Sequence, residues 1–135
     1  MIVEGRGVPL AIVQSAANAH DSTMLEAVVD AVPPIKRPSG QRRKRPGKLH
    51  TDKGYDYKRC RASLRRRGIK SRIARKGIER SDRLGRHRWV VERTLAWLNR
   101  FRRLTVRYER RADIHQAFLL LACSLICLRR IEGRF

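Results

Sequence analysis

The sequence predicts one α/β domain in which short strands come first and long helices follow. Three observations predict it: two β-prone runs around a glycine turn near the N-terminus, a strand–helix–strand pattern from 49 to 74, and apolar residues at helical spacing in the second half. A chain of 135 residues is long enough for one domain with a core and too short for two comfortable ones. We therefore expect a single domain over residues 1–135.

The first elements are a hairpin and a short helix. Residues 1–3 and 8–13 are β-prone and flank Gly5-Arg6-Gly7, which predicts a β-hairpin. A polar loop leads to Thr23, which forms the pattern of a capping box with Glu26. We expect a helix there that ends before Pro33-Pro34.

A basic loop and a strand–helix–strand unit occupy the middle of the chain. Residues 35–48 carry prolines and glycines among basic residues without periodicity, which predicts a loop. The run 49–51 predicts a strand, residues 57–67 predict a basic helix ended by Gly68, and 69–74 predict a second strand. This order predicts a βαβ unit with a parallel strand pair.

The second half predicts two long helices. The first begins at Asp82, and its apolar stripe consists of Leu84, Val91, Leu95 and Leu98. Asp113 is expected to cap the last helix, in which Cys123 and Cys127 are interpreted as small buried side chains. The broad apolar face of this helix is predicted to be Ile114, Phe118, Leu121, Leu125 and Leu128.

The charge of the chain points to a polyanionic partner. Lys and Arg number 33 against 12 Asp and Glu, a net charge of +21, while a hydrophobic share of 41% is too high for a disordered basic tail. Nucleic acid is the first candidate partner and an anionic membrane surface is the second. Three cysteines without a CxxC pair argue against a disulfide framework and against a zinc finger.

The location expected from the sequence is the cytoplasm. The N-terminus lacks the pattern of a signal peptide, and the apolar stretch 117–128 is shorter than the roughly 20 residues that span a bilayer. We therefore expect no membrane partner. Candidate phosphate contacts lie in three basic segments, although the loop segment is equally interpreted as a solvated surface: Arg65, Arg66, Arg67, Arg100, Arg102, Arg103, Arg42, Arg43, Lys44 and Arg45.

Two carboxylates stand at positions suited to chemistry. Asp52 follows the predicted strand, and ligands and metals bind at the carboxyl ends of strands in parallel sheets. An aspartate at a strand end is also commonly a turn former. Glu92 lies on one helical stripe with Arg88 and Asn99, and the plain alternative is a surface ion pair with Arg88 worth a few tenths of a kcal/mol.

Three segments around these carboxylates carry a resemblance to a known family. Residues 50–56 (HTDKGYD) and 88–104 (RWVVERTLAWLNRFRRL) are the most specific, and residues 7–10 with 18–21 add a hairpin and a loop. They resemble the second-aspartate segment, the glutamate helix and the preceding hairpin of bacterial insertion-sequence transposases of the DDE class. The resemblance covers residues 5–128 and implies an RNase H-like fold.

The resemblance also implies roles for individual residues. Asp52 would be the second acid of a metal-binding triad and Glu92 the third, holding Mg²⁺ (or Mn²⁺) for DNA cleavage and strand transfer by two-metal-ion phosphoryl transfer. Arg88 would match the arginine of the family signature and contact DNA. Gly85 replaces the tyrosine of that signature and Asn99 its lysine, for which Arg100, Arg102 or Arg103 could substitute.

The largest departure from the family pattern concerns the first aspartate. No residue of this chain matches it, so we expect a truncated or split transposase whose sheet lacks the first catalytic strand. Such a chain should bind the terminal inverted repeats and target DNA but be weakly active or inactive alone. Its further partners would be a second copy or an upstream transposase fragment, in the nucleoid-associated part of a bacterial cytoplasm.

Two other functions remain open from the residues. A non-catalytic basic DNA- or RNA-binding protein explains the charge without explaining the two carboxylate segments. An amphipathic surface-binding protein would use the apolar helix from Ile114 to Leu128.

Overall fold

The computed structural model describes residues 1–75, 77 and 81–133, and the backbone alone for 81–88. Its elements alternate between strands and helices, which confirms the α/β class. The strands are β1 (Ile2–Val3), β2 (Pro9–Ala11), β3 (Ile35–Lys36), β4 (Arg42–Arg43), β5 (Lys48–Thr51) and β6 (Lys70–Ile73). The helices are α1 (Leu25–Asp30), α2 (Lys58–Arg66), α3 (Ser81–Leu98), α4 (Arg102–Thr105) and α5 (Ala112–Ile131), with 3₁₀ turns at Asp21–Thr23 and Lys53–Tyr55.

The chain divides into two compact units. The hairpin unit contains Met1–Gln14 and Trp89–Phe135, and the βαβ unit contains Ser15–Arg88. Within the described residues, the strands pair as three two-stranded sheets: β1 with β2, β3 with β4, and β5 with β6.

The βαβ unit confirms the predicted strand–helix–strand pattern. Strands β5 and β6 are parallel, with Leu49 opposite Ser71. Helix α2 ends at Arg66, and Gly68 follows with a φ of +65°, a left-handed conformation that glycine adopts at little cost. Beyond it, the Ile69 amide donates to the Leu64 carbonyl at 2.9 Å, and both side chains are buried. This Schellman-type ending turns the chain sharply into β6.

The capping box predicted at Thr23 and Glu26 is wrong. The first turn is the 3₁₀ turn, capped by His20, whose Nδ1 accepts from the Ser22 amide at 3.2 Å. Helix α1 then begins at Leu25 without a side-chain cap. Glu26 instead lies 3.3 Å from Arg67 of the neighbouring α2 region, a long-range pairing that outcompetes the local box. The predicted end of the helix before Pro33 is confirmed.

The segment 35–48 contains structure that the sequence did not predict. Strands β3 and β4 form a small antiparallel ladder with Ile35 opposite Arg43. The turn between them is closed by a 2.8 Å bond from the Arg37 amide to the Gln41 carbonyl. All four strand residues are exposed, so backbone pairing and not burial shapes this hairpin.

The hairpin unit confirms the N-terminal hairpin and the long helices. Strands β1 and β2 are antiparallel, with Ile2 opposite Ala11. In the part of α3 whose side chains are described (89–98), the buried residues are Val90, Thr94 and Leu98, whereas Leu95 of the predicted apolar stripe is 44% exposed. The buried stripe is rotated because the hairpin packs against Thr94. The side chain of Leu84 lies outside the described residues.

The predicted apolar face of α5 is largely open to solvent, and a different side of the helix is buried. Ile114, Leu121, Leu125 and Leu128 are exposed and Phe118 is half-buried, while Ala122, Cys123 and Ile126 are buried. Small side chains suit the inner face because β2 comes close: Cys127 Sγ lies 3.9 Å from the Pro9 carbonyl oxygen. The prediction of a buried Cys123 is confirmed, and Cys127 is half-buried.

The start of α5 differs from the prediction as well. Arg111 occupies the cap position without a side-chain cap bond, and Asp113 lies inside the first turn. There its carboxylate pairs with Arg111 at 2.6 Å. By length and composition alone, α5 is apolar enough to cross a membrane, with a mean hydropathy of 1.5. Core helices of soluble proteins pass the same test of length and composition.

Candidate functional site

Asp52 sits at the carboxyl end of β5, where the strand gives way to a 3₁₀ turn. Its exposed side chain caps that turn, because Oδ1 accepts a 2.9 Å hydrogen bond from the Gly54 amide. A Cβ on Gly54 would stand 3.0 Å from the same oxygen, so a larger residue there would push the carboxylate away by a few tenths of an ångström. The turn-forming role is therefore real, and it also fixes the direction in which the carboxylate points.

The Tyr55 hydroxyl, close to Asp52, is partly buried and lies near two carboxylates. Burial, followed by the charges of Asp21 and Asp52, raises the pKa of Tyr55 to about 12. Asp21, which belongs to the turn after His20, therefore lies near the same hydroxyl as Asp52. Sequence reasoning did not single out Asp21; its position beside His20 in the segment 18–21 was the available signal.

Side chains at the start of α2 contact His20 and the 3₁₀ turn Asp21–Thr23. The ring of His20 meets that of Tyr57 edge-on, with 5.6 Å between the ring centroids. Arg59 donates to the Ser22 hydroxyl at 2.6 Å. At the end of β5, Thr51 Oγ1 is buried without a hydrogen-bond partner among the described residues. The βαβ unit thus gathers Asp21, Asp52 and an unsatisfied hydroxyl oxygen around one strand end.

Glu92 is exposed on α3, in the hairpin unit. The next two residues tie the helix to the tip of the hairpin. Arg93 Nη2 donates to the Arg6 carbonyl at 2.6 Å, and the fully buried hydroxyl of Thr94 donates to the Gly7 carbonyl at 2.8 Å. These bonds fix the rotation of α3 about its axis directly beside Glu92.

Gly7 makes this attachment possible. Its φ is +88°, and a Cβ there would stand 2.8 Å from Arg93 Nη2 and 3.1 Å from the Thr94 hydroxyl. The guanidinium of Arg93 also lies between two indoles, 4.4 Å from the Trp89 ring centroid and 4.9 Å from that of Trp97. Cation–π contacts therefore add to the hydrogen bonds at this point.

The two candidate acids belong to different units, so their convergence on one metal ion stays a prediction. The side chain of the predicted DNA contact Arg88 lies outside the described residues. Within the described part of the chain, no three His, Cys, Asp or Glu side chains form a cluster that could hold a metal ion. Asp52 and Glu92 are exposed carboxylates, and their hard oxygens suit Mg²⁺.

The basic candidates of α2 differ in what they contact. Arg67 binds Asp30 at 2.7 Å and Glu26 at 3.3 Å, and its hydrogen bond holds the pKa of the Asp30 carboxyl below its usual range. Arg66 is more exposed, 3.6 Å from Glu26. Arg65 is exposed and lines a shallow cleft of about 410 Å³ with Arg61 and Lys70. A cationic cleft of this kind suits an anion.

The remaining basic candidates are exposed. Arg43 donates to the Arg45 carbonyl, and Arg45 donates to the Arg67 carbonyl, which fastens this loop to the end of α2. In the hairpin unit, Arg103 pairs with Glu109 at 2.8 Å. The exposed basic candidates are Arg42, Arg43, Lys44, Arg45, Arg100, Arg102 and Arg103.

Comparison with known proteins decides the family. The model of the transposase DDE domain family matches residues 1–127, a span that includes both carboxylate segments. The chain belongs to the transposase DDE domain family. The resemblance seen in the sequence is thereby confirmed.

A relative of this transposase domain is described as a putative transposase for insertion sequence element IS402, from Burkholderia cepacia. It is 49% identical over 135 residues, which cover 98% of the present chain and 64% of the relative. The transposase domain described here thus spans less than two thirds of that relative's length. No solved structure matches the chain.

Proposed function

We propose that this chain takes part in DNA transposition as the catalytic-core portion of an insertion-sequence transposase with an RNase H-like fold. The observation that carries the proposal is the family match over residues 1–127, which includes Asp52 and Glu92 in their motifs. The charge of +21 supports a DNA substrate, for which the terminal inverted repeats and target DNA are the expected sites. A non-catalytic basic binding protein is not favoured, because it leaves the two carboxylate segments unexplained.

The proposed chemistry places Asp52 and Glu92 as ligands of divalent metal ions. Two Mg²⁺ or Mn²⁺ ions would supply an activated oxygen nucleophile and stabilise the leaving oxygen at a DNA phosphate. The donor set fits such ions, since both residues offer exposed carboxylate oxygens. The Gly54 amide orients the Asp52 carboxylate, and the hairpin tip orients the helix that bears Glu92.

The proposed DNA contacts come from exposed basic residues. Arg42 and Arg43 on β4, Arg100 before α4 and Arg102 at the start of α4 are exposed and available to phosphates. Arg67 contributes less, because Asp30 and Glu26 already neutralise its charge. Arg88 is proposed to contact DNA because it matches the arginine of the family signature.

Catalysis by this chain alone should be weak or absent. Its residues supply two of the three acids of the family's triad, and no residue matches the first. The positive charge of two divalent ions must be balanced by carboxylates at the site. A site with one carboxylate fewer therefore binds these ions more weakly. A second copy or an upstream transposase fragment is the proposed partner for activity, in the bacterial cytoplasm at the nucleoid.

Metal titration tests the assignment of the acids. Mn²⁺ binding, followed by electron paramagnetic resonance, should weaken in Asp52→Ala and in Glu92→Ala. Glu132→Ala serves as the matched control, since it removes an exposed carboxylate at the end of α5. Equal Mn²⁺ binding by all four proteins would refute the assignment.

Salt dependence tests the partner. If six or more phosphates are contacted, affinity for duplex DNA should fall by about 10³-fold or more between roughly 50 and 200 mM salt. The measurement is fluorescence anisotropy with a labelled duplex. An affinity that does not change with salt would contradict the DNA assignment.

A further inference from the structure

Helix α5 has two apolar sides, and one of them is exposed to solvent. Along the open side Ile114, Phe118, Leu121, Leu125 and Leu128 follow one another at intervals of four, three, four and three residues. The exposed fractions are 42% for Ile114, 57% for Leu121, 37% for Leu125 and 49% for Leu128. This alternation is the spacing by which one helix packs along another. We call these five residues the open seam.

The open seam forms one wall of a groove in the hairpin unit. Phe101 and Leu104 face Phe118, Leu121 and Leu125 across a cavity of about 200 Å³. Ile114 and Leu128 do not line this cavity, and they extend the exposed apolar face beyond its two ends, so that the seam as a whole spans about 21 Å along the helix axis. The apolar lining of the groove and the length of the seam suit a helix of about four turns.

The edge of the groove is positively charged. Arg102 and Arg103 belong to its lining, whereas no carboxylate does. The Arg103 guanidinium lies 5.5 Å from the Phe118 ring centroid and is held there by Glu109 at 2.8 Å. Arg129 continues the positive charge beyond the C-terminal end of the seam and is exposed.

We propose that this groove docks an amphipathic α-helix that presents an apolar stripe flanked by Asp or Glu. The apolar stripe would cover the open seam, and the acids would meet Arg102 and Arg129. DNA fits poorly, because its phosphates would be desolvated against the leucines. A second copy fits poorly, because it would bring another set of arginines to the same edge. This inference is independent of the phosphoryl chemistry proposed above.

The test uses a designed 18-residue helical peptide with leucines spaced three and four apart and glutamates beside them. Two control peptides have the same leucines with lysines in place of the glutamates, or the same composition in scrambled order. Binding of the fluorescent peptides to the full chain is measured by anisotropy. Only the acidic amphipathic peptide should bind tightly.

Two neighbouring leucines supply matched variants. Leu121→Gln should weaken binding of the acidic peptide about tenfold, the loss of one well-buried apolar contact. Leu120→Gln should change it less than about twofold, because Leu120 is equally exposed, at 50%, but does not line the groove. Arg102→Glu should weaken the acidic peptide and strengthen the lysine-flanked one.

Several outcomes would overturn the proposal. One is equal binding of the scrambled peptide, and another is equal loss in the Leu120 and Leu121 variants. Sedimentation that shows a dimer lost in Leu121→Gln would assign the groove to a second copy. Binding to vesicles of anionic phospholipid, again lost in Leu121→Gln and without peptide binding, would assign it to a membrane surface.

Discussion

The two candidate acids are held in place by different kinds of interaction. Asp52 is fixed by its own turn, through a bond to an amide two residues away. Glu92 is fixed by its helix, which is tied at Arg93 and Thr94 to the hairpin tip 87 residues earlier. The position of Asp52 thus depends on local sequence, and that of Glu92 depends on long-range packing. We therefore expect substitutions that break the two attachments to lower the stability of the protein by different amounts.

The largest expected effect comes from Gly7→Ala. The left-handed backbone at φ +88° costs a non-glycine residue about 1–3 kcal/mol, and the added Cβ would also displace Arg93 and Thr94. Gly5→Ala is the matched control, because nothing lies within 4 Å of its Cβ position and no positive φ is involved. Urea unfolding of both variants gives the comparison. Equal stabilities would show that the tip does not anchor α3.

A smaller effect is expected at Asp52. Replacing a capping side chain by alanine costs about 0.5–2 kcal/mol, so Asp52→Ala should destabilise the chain by that amount. Asp52→Asn keeps an oxygen acceptor for the Gly54 amide and should remain close to the parent in stability while losing the charge. Urea unfolding measures both variants. If both lose the same stability, the charge and not the turn bond is what Asp52 contributes.

The effect that is smallest near neutral pH, because it develops only above pH 10, is a pH dependence at Tyr55. The pKa of its hydroxyl is raised from 10.0 to about 12, mainly by burial, so the folded state binds this proton more tightly than the unfolded state. The resulting stability is complete below pH 10 and is lost as the pH rises toward 12. Ultraviolet titration of Tyr55 should show the raised pKa, and Asp52→Asn should lower it slightly. A pKa near 10 in the folded chain would show that the Tyr55 hydroxyl is neither buried nor close to Asp21 and Asp52.

How far the sequence could predict the fold depends on how local each element is. The βαβ unit was predicted because its strands, its helix and the glycine ending are each set by neighbouring residues. The hairpin of residues 35–43 was missed because it is held by backbone pairing between exposed residues, which leaves no apolar pattern. The Thr23 capping box failed because Arg67, more than forty positions later, engages Glu26.

Helix α5 shows a further limit. Its residues are apolar on two sides, so periodicity alone could not tell which side packs on the hairpin. The same limit applies to the candidate site. The positions of Asp52 and Glu92 follow from the motifs, whereas Asp21 and the Arg93–Thr94 attachment depend on contacts between distant segments.

The attachment at Gly7 has a practical consequence for labelling the protein. Hairpin tips are commonly chosen for inserting epitope tags or fluorophore-binding peptides, because exposed tips tolerate insertions. Here the N-terminal tip is unsuitable, since an insertion would separate Gly7 from Thr94. The turn from Arg37 to Gln41 is the better place, because it is exposed and a Cβ on Gly40 would meet nothing within 4 Å.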